Sequence, residues 1–156
     1  MIPFIQSNLK PGNCWQTAVA SILGIDPECL PDQSAIAAKG GDHSYYNNPL
    51  QAYLFKHHGL MFCTIQDYMF GAIKVTSFNG YHTMSGPTVR TATNGGIRHC
   101  VVGHNGLFVH DPHPSQAGLL KVESWGFLAP LSEEWKAGAW QTKHRCQCPE
   151  CGGVHD

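Results

Sequence analysis

The sequence predicts an α+β fold, because helical patterns occupy the first half of the chain and short β-rich runs occupy the second half. The chain has 156 residues, of which 42% are hydrophobic, so it is long and apolar enough to bury a core. No internal repeat or low-complexity tract interrupts this order. We therefore expect one domain over residues 1–140 and a polar, Cys- and His-rich tail over residues 141–156.

The first helix is predicted over residues 14–23. Its segment, "CWQTAVASILG", places apolar side chains at helical spacing, with Asn13 at the cap position and Gly24 at the end. The segment "PLQAYLFKHHGL" predicts a second helix over residues 50–58, ended by a glycine. The turn-rich stretch between these helices has room for one short helix.

The strands are predicted in the second half, at "LMFCTI", "AIKVTSF", "HCVVGH", "LFVHD" and "LLKVESWGFLAPL". Asn105-Gly106 stands between two of these runs and predicts a tight hairpin. Residues 81–97 contain many Gly, Thr and Ser residues and little apolar periodicity, so we expect a surface loop that borders a site.

The charge pattern disfavours nucleic acid and membrane partners. The formal net charge is −1 with a pI near 6.8, and Lys and Arg are scattered along the chain. The first residues lack the basic start and apolar stretch of a secretory signal, and no apolar run reaches the length of a membrane span. We therefore expect a cytoplasmic protein.

Cys14 is the candidate nucleophile, because it begins the first predicted helix. The positive field at a helix N-terminus favours the thiolate, which is the nucleophilic form of cysteine. The alternative is that Cys14 is a buried core residue, since cysteine is among the most buried residue types.

A base and a carboxylate lie together in the predicted hairpin. In a hairpin that turns at Asn105-Gly106, His99 on the first strand and Asp111 after the second are cross-strand neighbours. A carboxylate beside an imidazole fixes the ring tautomer and stabilises the imidazolium. Cys14, His99 and Asp111 are therefore the residue types of a catalytic triad.

The order of these residues resembles that of the papain-like cysteine peptidases, in which a helix-borne Cys precedes a strand-borne His and then an Asn or Asp. The motifs are most similar to those of the double-glycine (bacteriocin-processing) peptidases and of standalone phage and bacterial proteins related to them. The shared features are a Gln upstream of the Cys, "HxVV" on a strand and "DP" after a hairpin, here Gln6, "HCVV" from His99, and Asp111-Pro112. With "GNCWQTAVASILGI" and "VHDPHPS" they cover about a sixth of the chain.

The resemblance implies a papain-like core, in which the nucleophile helix packs on a small antiparallel sheet. It also implies that the Gln6 side-chain amide and the Cys14 backbone N–H form an oxyanion hole. Gln16 is a rival amide for this role. His113, in "DPHPS", is a further candidate to line the cleft.

The tail has the residues of a zinc site. Cys148-Pro-Glu-Cys151-Gly-Gly resembles the knuckle of a zinc ribbon, and Cys146 supplies a third thiolate. His155 is favoured over His144 as the fourth ligand. Four protein ligands leave no open position, so the zinc would be structural and catalysis would need no cofactor. The alternatives are a flexible tail with exposed thiols, or thiols oxidised during purification.

These observations predict a thiol hydrolase that cleaves a peptide or isopeptide bond through an acyl-enzyme, with a peptide or protein as substrate. Cys14 is the nucleophile, His99 moves the proton, Asp111 orients His99, and Gln6 stabilises the oxyanion. One alternative is an acyltransferase that uses the same triad. The other is a non-catalytic protein-binding module with this fold.

Overall fold

The structure, a computed structural model, describes residues 1–9, 12–38, 44–66, 79–89 and 98–132, with residues 44–47 described by their backbone alone. Its helices are α1 (Cys14–Leu23), a 3-10 turn (Pro27–Cys29), α2 (Gln33–Ala38) and α3 (Ser44–His58). The strands are β1 (Leu60–Gln66), β2 (Tyr81–Pro87), β3 (Arg98–His104), β4 (Leu107–His110) and β5 (Ser124–Pro130). The fold is therefore α+β, as the sequence predicts.

The described strands form one antiparallel sheet in the order β1-β5-β2-β3-β4. One face of the sheet carries α1, which packs through Ala18 on Cys100 and Val102. The opposite face carries a separate cluster of Met84, Val101 and Trp125. This division follows from the alternation of side chains along β3.

A larger core joins the helices to the edge strand β1. Leu50 and Leu54 of α3 pack with Val19 of α1 and with Phe62 of β1, and Leu50, Leu54 and Val19 are completely buried. Among the described helices, none has the length and apolar character needed to cross a membrane.

The predicted bounds of α1 are confirmed, but its predicted cap is wrong. Asn13 occupies the N-cap position and makes no side-chain cap. Its Oδ1 instead accepts the Asn8 N–H at 3.2 Å, and its Nδ2 donates to Ser7 Oγ at 3.2 Å. The side chain of Asn13 therefore holds the incoming segment rather than the helix. Gly24 ends α1 in the left-handed conformation with φ 72°.

The hairpin at Asn105-Gly106 is confirmed, and both turn residues have positive φ, 51° and 81°. A β-bulge interrupts the β3–β4 pairing between Val102 and Gly103. The bulge shifts the register, so that His110 lies opposite Val102.

The predicted loop over residues 81–97 is wrong in its first part, because residues 81–87 form the central strand β2. This strand pairs with both β3 and β5. Its Gly, Thr and Ser residues suggest a loop, but each has a place in the strand. Thr83 and Ser85 face the side of the sheet that carries α1, and Gly86 leaves room for the backbone of Lys121. Residues 90–97, the predicted strand over residues 72–78 and the tail over residues 141–156 lie outside the described residues.

Candidate active site

Cys14 is the first residue of α1, and its side chain packs with Ala18 of the same helix and Cys100 of β3. It is 8% exposed, so its access to solvent is narrow. Because it begins the helix, its backbone N–H has no acceptor within the helix. That N–H and the positive end of the helix both favour negative charge at this point.

The start of α1 is fixed by a reciprocal pair of glutamines. The Gln33 Oε1 accepts the Gln16 N–H at 2.9 Å, and the Gln16 Oε1 accepts the Gln33 N–H at 3.0 Å. Gln16 Nε2 also donates to the Pro27 carbonyl at 2.7 Å. Gln16, the rival candidate for the oxyanion hole, thus uses its side chain to hold α2 against α1. Gln33 supplies the side-chain cap that Asn13 does not make, and no local sequence pattern indicates this role.

His99 and Asp111 meet directly, at 2.6 Å between Nε2 and Oδ1. Both side chains are buried, and Asp111 is 0% exposed. The bulge in the hairpin makes them diagonal rather than directly opposed neighbours, since Val102 is paired with His110. The two side chains are therefore brought together as the sequence predicts, but in a shifted register.

The carboxylate of Asp111 accepts two further hydrogen bonds. The His113 N–H donates to Oδ1 at 2.7 Å, and the Gly118 N–H donates to Oδ2 at 2.8 Å. Burial alone would raise the pKa of Asp111, but these bonds and the contact with His99 outweigh it and lower the pKa to about 2. Asp111 is therefore a carboxylate at neutral pH, and it also organises the loop that follows β4.

The imidazole of His99 bridges Asp111 and Cys14. Burial alone would lower its pKa, but hydrogen bonds with Asp111 and with Cys14, together with their negative charges, raise the pKa to about 9. Since Nε2 faces Asp111, Nδ1 is the ring nitrogen left to exchange a proton with the thiol. The arrangement places a base that can carry a proton beside a thiol, which is the pairing that nucleophilic cysteine chemistry uses.

Gln6 lies near the start of α1 but is not among the residues that line the cleft. Its Nε2 donates to the Asn8 carbonyl at 3.0 Å. The same nitrogen lies 3.8 Å from the position that a Cβ atom at residue 12, a glycine, would occupy. Its Oε1 is buried and has no hydrogen-bond partner among the described residues. Its backbone N–H donates to the Pro112 carbonyl at 2.8 Å, which ties the N-terminal segment to the loop after Asp111.

A cleft of about 200 Å³ opens beside Cys14 and His99. It crosses the face of the sheet that carries α1. Its described lining consists of Cys14, Trp15, Gln33, Phe62, Thr64, Gln66, Thr83, Ser85, Arg98, His99, Cys100, Ser124 and Gly126. Thr83 and Ser85 belong to the stretch that the sequence predicts to border a site, although they lie on a strand and not on a loop. Ser124 and Gly126 lie on a predicted strand, but no pattern in the sequence places that strand at the cleft.

Two further groups lie close to the triad. The ring of His113 stands edge-on to that of His99 with centroids 6.1 Å apart, and its Nδ1 accepts the Ser115 N–H at 3.0 Å. Burial and the nearby Cys14 raise the pKa of Cys100, so this second thiol stays protonated.

The predicted metal ligands Cys146, Cys148, Cys151 and His155, and the rival His144, all lie outside the described residues. Within the described ranges, no group of three or more His, Cys, Asp or Glu side chains is placed to hold a metal ion. The zinc site therefore stays a prediction from the sequence.

Comparisons of the chain with protein-family models, with curated proteins and with solved structures find no match.

Proposed function

We propose that the protein is a thiol hydrolase with a papain-like core, and that it cleaves an amide bond in a peptide or protein. The observation that supports this most directly is the position of His99, whose ring bonds Asp111 at 2.6 Å and lies at the same cleft as Cys14. The thiol and the base thus both line the cleft, and the carboxylate is bonded to the base.

In the proposed reaction, the Cys14 thiolate attacks the carbonyl carbon and forms a tetrahedral intermediate. The C–N bond then breaks, and His99 gives its Nδ1 proton to the departing amine. Water next attacks the thioester while His99 takes a proton from it, and the carboxylic acid leaves as the thiolate is restored. Asp111 keeps Nε2 of the ring engaged throughout, so Nδ1 remains aimed at the reacting atoms.

The developing oxyanion needs donors that are already in place. The Cys14 N–H is one, because a residue at the start of a helix has no intrahelical acceptor for it. The Gln6 amide is the second donor that the resemblance implies. In the free protein one N–H of this amide donates to the Asn8 carbonyl. To bind the oxyanion, Gln6 must therefore use its second N–H or rotate its side chain once substrate is bound.

The test is the relative reactivity of Cys14 and Cys29 toward iodoacetamide at neutral pH, followed by peptide mapping. Cys29 is exposed and Cys14 is buried, so access alone would label Cys29 first. Activation by His99 predicts the opposite order. The variant His99→Ala should remove the preference for Cys14. Labelling of Cys29 with Cys14 left untouched would reject the hydrolase and favour a non-catalytic module.

A further inference from the structure

The floor of the cleft contains a row of polar side chains that runs straight across the sheet. Gln66 of β1 lies opposite Ser124 of β5, Ser124 lies opposite Ser85 of β2, and Ser85 lies opposite Cys100 of β3. We refer to Gln66, Ser124 and Ser85 as the polar row. Adjacent strands are about 4.8 Å apart, so the row begins one strand away from Cys100 and extends outward. Because Cys14 packs on Cys100, the row starts next to the nucleophile.

A second line of residues lies parallel to the polar row. Thr64 and Thr83 both pair with Gly126, which stands between them on β5. A side chain at Gly126 would collide with the ring of Phe62 and the hydroxyl of Thr83, so only glycine leaves both in place. Phe62 in turn packs on Trp15 with ring centroids 5.3 Å apart. The cleft thus has an aromatic wall beside a floor of hydroxyl and amide groups.

Within its described lining, the cleft offers no carboxylate to a cationic side chain, and its two cationic groups already have carboxylate partners. Its described lining contains no Asp or Glu. The charged side chains there are His99, which serves the triad, and Arg98 at the rim. Arg98 is already paired with Glu123 at 2.9 Å, and Glu123 also pairs with Lys121 at 2.9 Å. A buried charge without a partner is costly, so an uncharged group fits this lining best.

We infer that this cleft is a specificity pocket for an uncharged, hydrogen-bonding side chain, a carboxamide such as that of glutamine, on the residue whose carbonyl is attacked. The inference rests on the proposed function. A carboxamide has two N–H donors and an acceptor oxygen, and serine hydroxyls can both donate and accept, so Ser85 and Ser124 can satisfy both ends. The stem of a glutamine side chain is apolar and lies against the Trp15–Phe62 wall. A pocket built of such groups rejects an apolar side chain, because its hydroxyls would then be left unpaired.

The experiment compares three vinyl sulfones of N-acetylated amino acids that differ only in the side chain: glutamine, glutamate and norleucine. Each reacts when the Cys14 sulfur adds to the vinyl carbon and the neighbouring carbon takes up a proton. We expect the glutamine probe to label Cys14 about ten times faster than either of the others. Equal or faster labelling by norleucine or glutamate would overturn the inference, and so would failure of the glutamine probe while iodoacetamide still labels Cys14. Failure of both reagents at Cys14 would overturn the proposed function as well.

Variants locate the effect in the polar row. Ser124→Ala and Ser85→Ala should each slow the glutamine probe several-fold, while the norleucine rate stays the same or rises, because one fewer hydroxyl is left unpaired. Cys63→Ala is the matched control, because Cys63 lies on β1 between two cleft residues and alternates to the opposite side of the strand. It should change neither rate. An unchanged ratio of glutamine to norleucine rates in both serine variants would place the specificity elsewhere and reject the assignment.

Discussion

Nε2 of His99 and the N–H of His113 converge on the same oxygen of Asp111, at 2.6 and 2.7 Å. The other carboxylate oxygen accepts the Gly118 N–H at 2.8 Å. One buried carboxylate therefore orients the imidazole and also anchors the loop after β4. The two roles are separable, because the first affects the reaction and the second affects stability.

Asp111→Asn should reduce activity less than His99→Ala does, because an amide oxygen can still accept from His99 whereas loss of the imidazole removes proton transfer. It should also lower the free energy of unfolding by about 1–3 kcal/mol. The amide NH₂ group takes the place of one carboxylate oxygen, so an N–H group that this oxygen now accepts from loses its acceptor. Initial rates and urea unfolding measure the two effects. If Asp111→Asn were as stable as the wild type, Asp111 would not anchor the loop. If Asp111→Asn and His99→Ala retained activity equally, neither residue would take part in the mechanism.

Cys14→Ala should abolish hydrolysis, with a loss of at least about a thousandfold in kcat, because the thiolate supplies the covalent chemistry. Cys14 is buried, so the variant leaves a small void. The expected loss of stability is about 1 kcal/mol. Cys29→Ala, at an exposed position, is the control for thiol removal. Turnover of substrate by Cys14→Ala at the wild-type rate would make Cys14 a structural residue.

The rate of hydrolysis should fall as the pH rises through about 9, because His99 then loses the proton that it gives to the departing amine. The pKa of His99 lies above its ordinary value of 6.5, so its stabilising interactions are complete below pH 6.5 and are lost between pH 6.5 and about 9. Asp111→Asn should move the alkaline limb of kcat/KM to lower pH, because Asp111 helps to raise this pKa. An alkaline limb that stays in place in this variant would contradict the bridging role of His99.

Gln33→Leu should reduce both stability and the reactivity of Cys14. It removes the acceptor of the Gln16 N–H at the buried start of α1, which costs about 1–2 kcal/mol. The first turn of the helix, including Cys14, then loses its fixed position. The matched control is Asp32→Ala, because the Asp32 carboxylate caps the neighbouring helix α2 at 3.0 Å through the Ala35 N–H. Asp32→Ala should cost stability but leave iodoacetamide labelling of Cys14 unchanged, and equal labelling rates in both variants would deny Gln33 a positioning role.

The purified protein should contain about one zinc ion per chain, and Cys148→Ser should lose it, if the tail forms the predicted site. The zinc is predicted to be structural, so chelation should increase proteolysis of the tail from about residue 141 onward and leave hydrolysis intact. Elemental analysis and limited proteolysis measure these effects. Metal-free protein with a protected tail would reject the zinc site. Loss of activity on chelation with the fold preserved would point to a zinc-dependent hydrolase.

Local signals in the sequence were sufficient for some of the fold. The bounds of α1 follow from its apolar spacing and from Gly24, and the hairpin follows from Asn105-Gly106. The pairing of His99 with Asp111 follows from that hairpin, although the bulge changes the register. Bulges depend on the packing of the whole sheet, so no local sequence pattern predicts them.

Other features depend on contacts between distant segments. Strand β2 has a polar composition because its Thr83 and Ser85 line a cleft, and a central strand of that kind lacks the apolar alternation used to predict strands. Gln33 caps a helix that begins nineteen residues earlier, and nothing near Cys14 in the sequence points to it. The predicted role of Asn13 failed for the same reason, because a tertiary partner replaced the local cap.

The position of β5 has a consequence for biosynthesis. Among the described strands β5 is the last along the chain, yet it lies between β1 and β2, which precede it by many residues. On the ribosome, the edge strand β1 and the meander of β2, β3 and β4 emerge before the strand that joins them. All members of the triad precede β5 in the chain. We therefore expect the triad to assemble on a nascent sheet that has a gap between β1 and β2, and the sheet to be completed only when β5 fills this gap. Such late insertion between non-adjacent strands is a slow, non-local step, and it exposes unpaired strand edges to aggregation until it is finished.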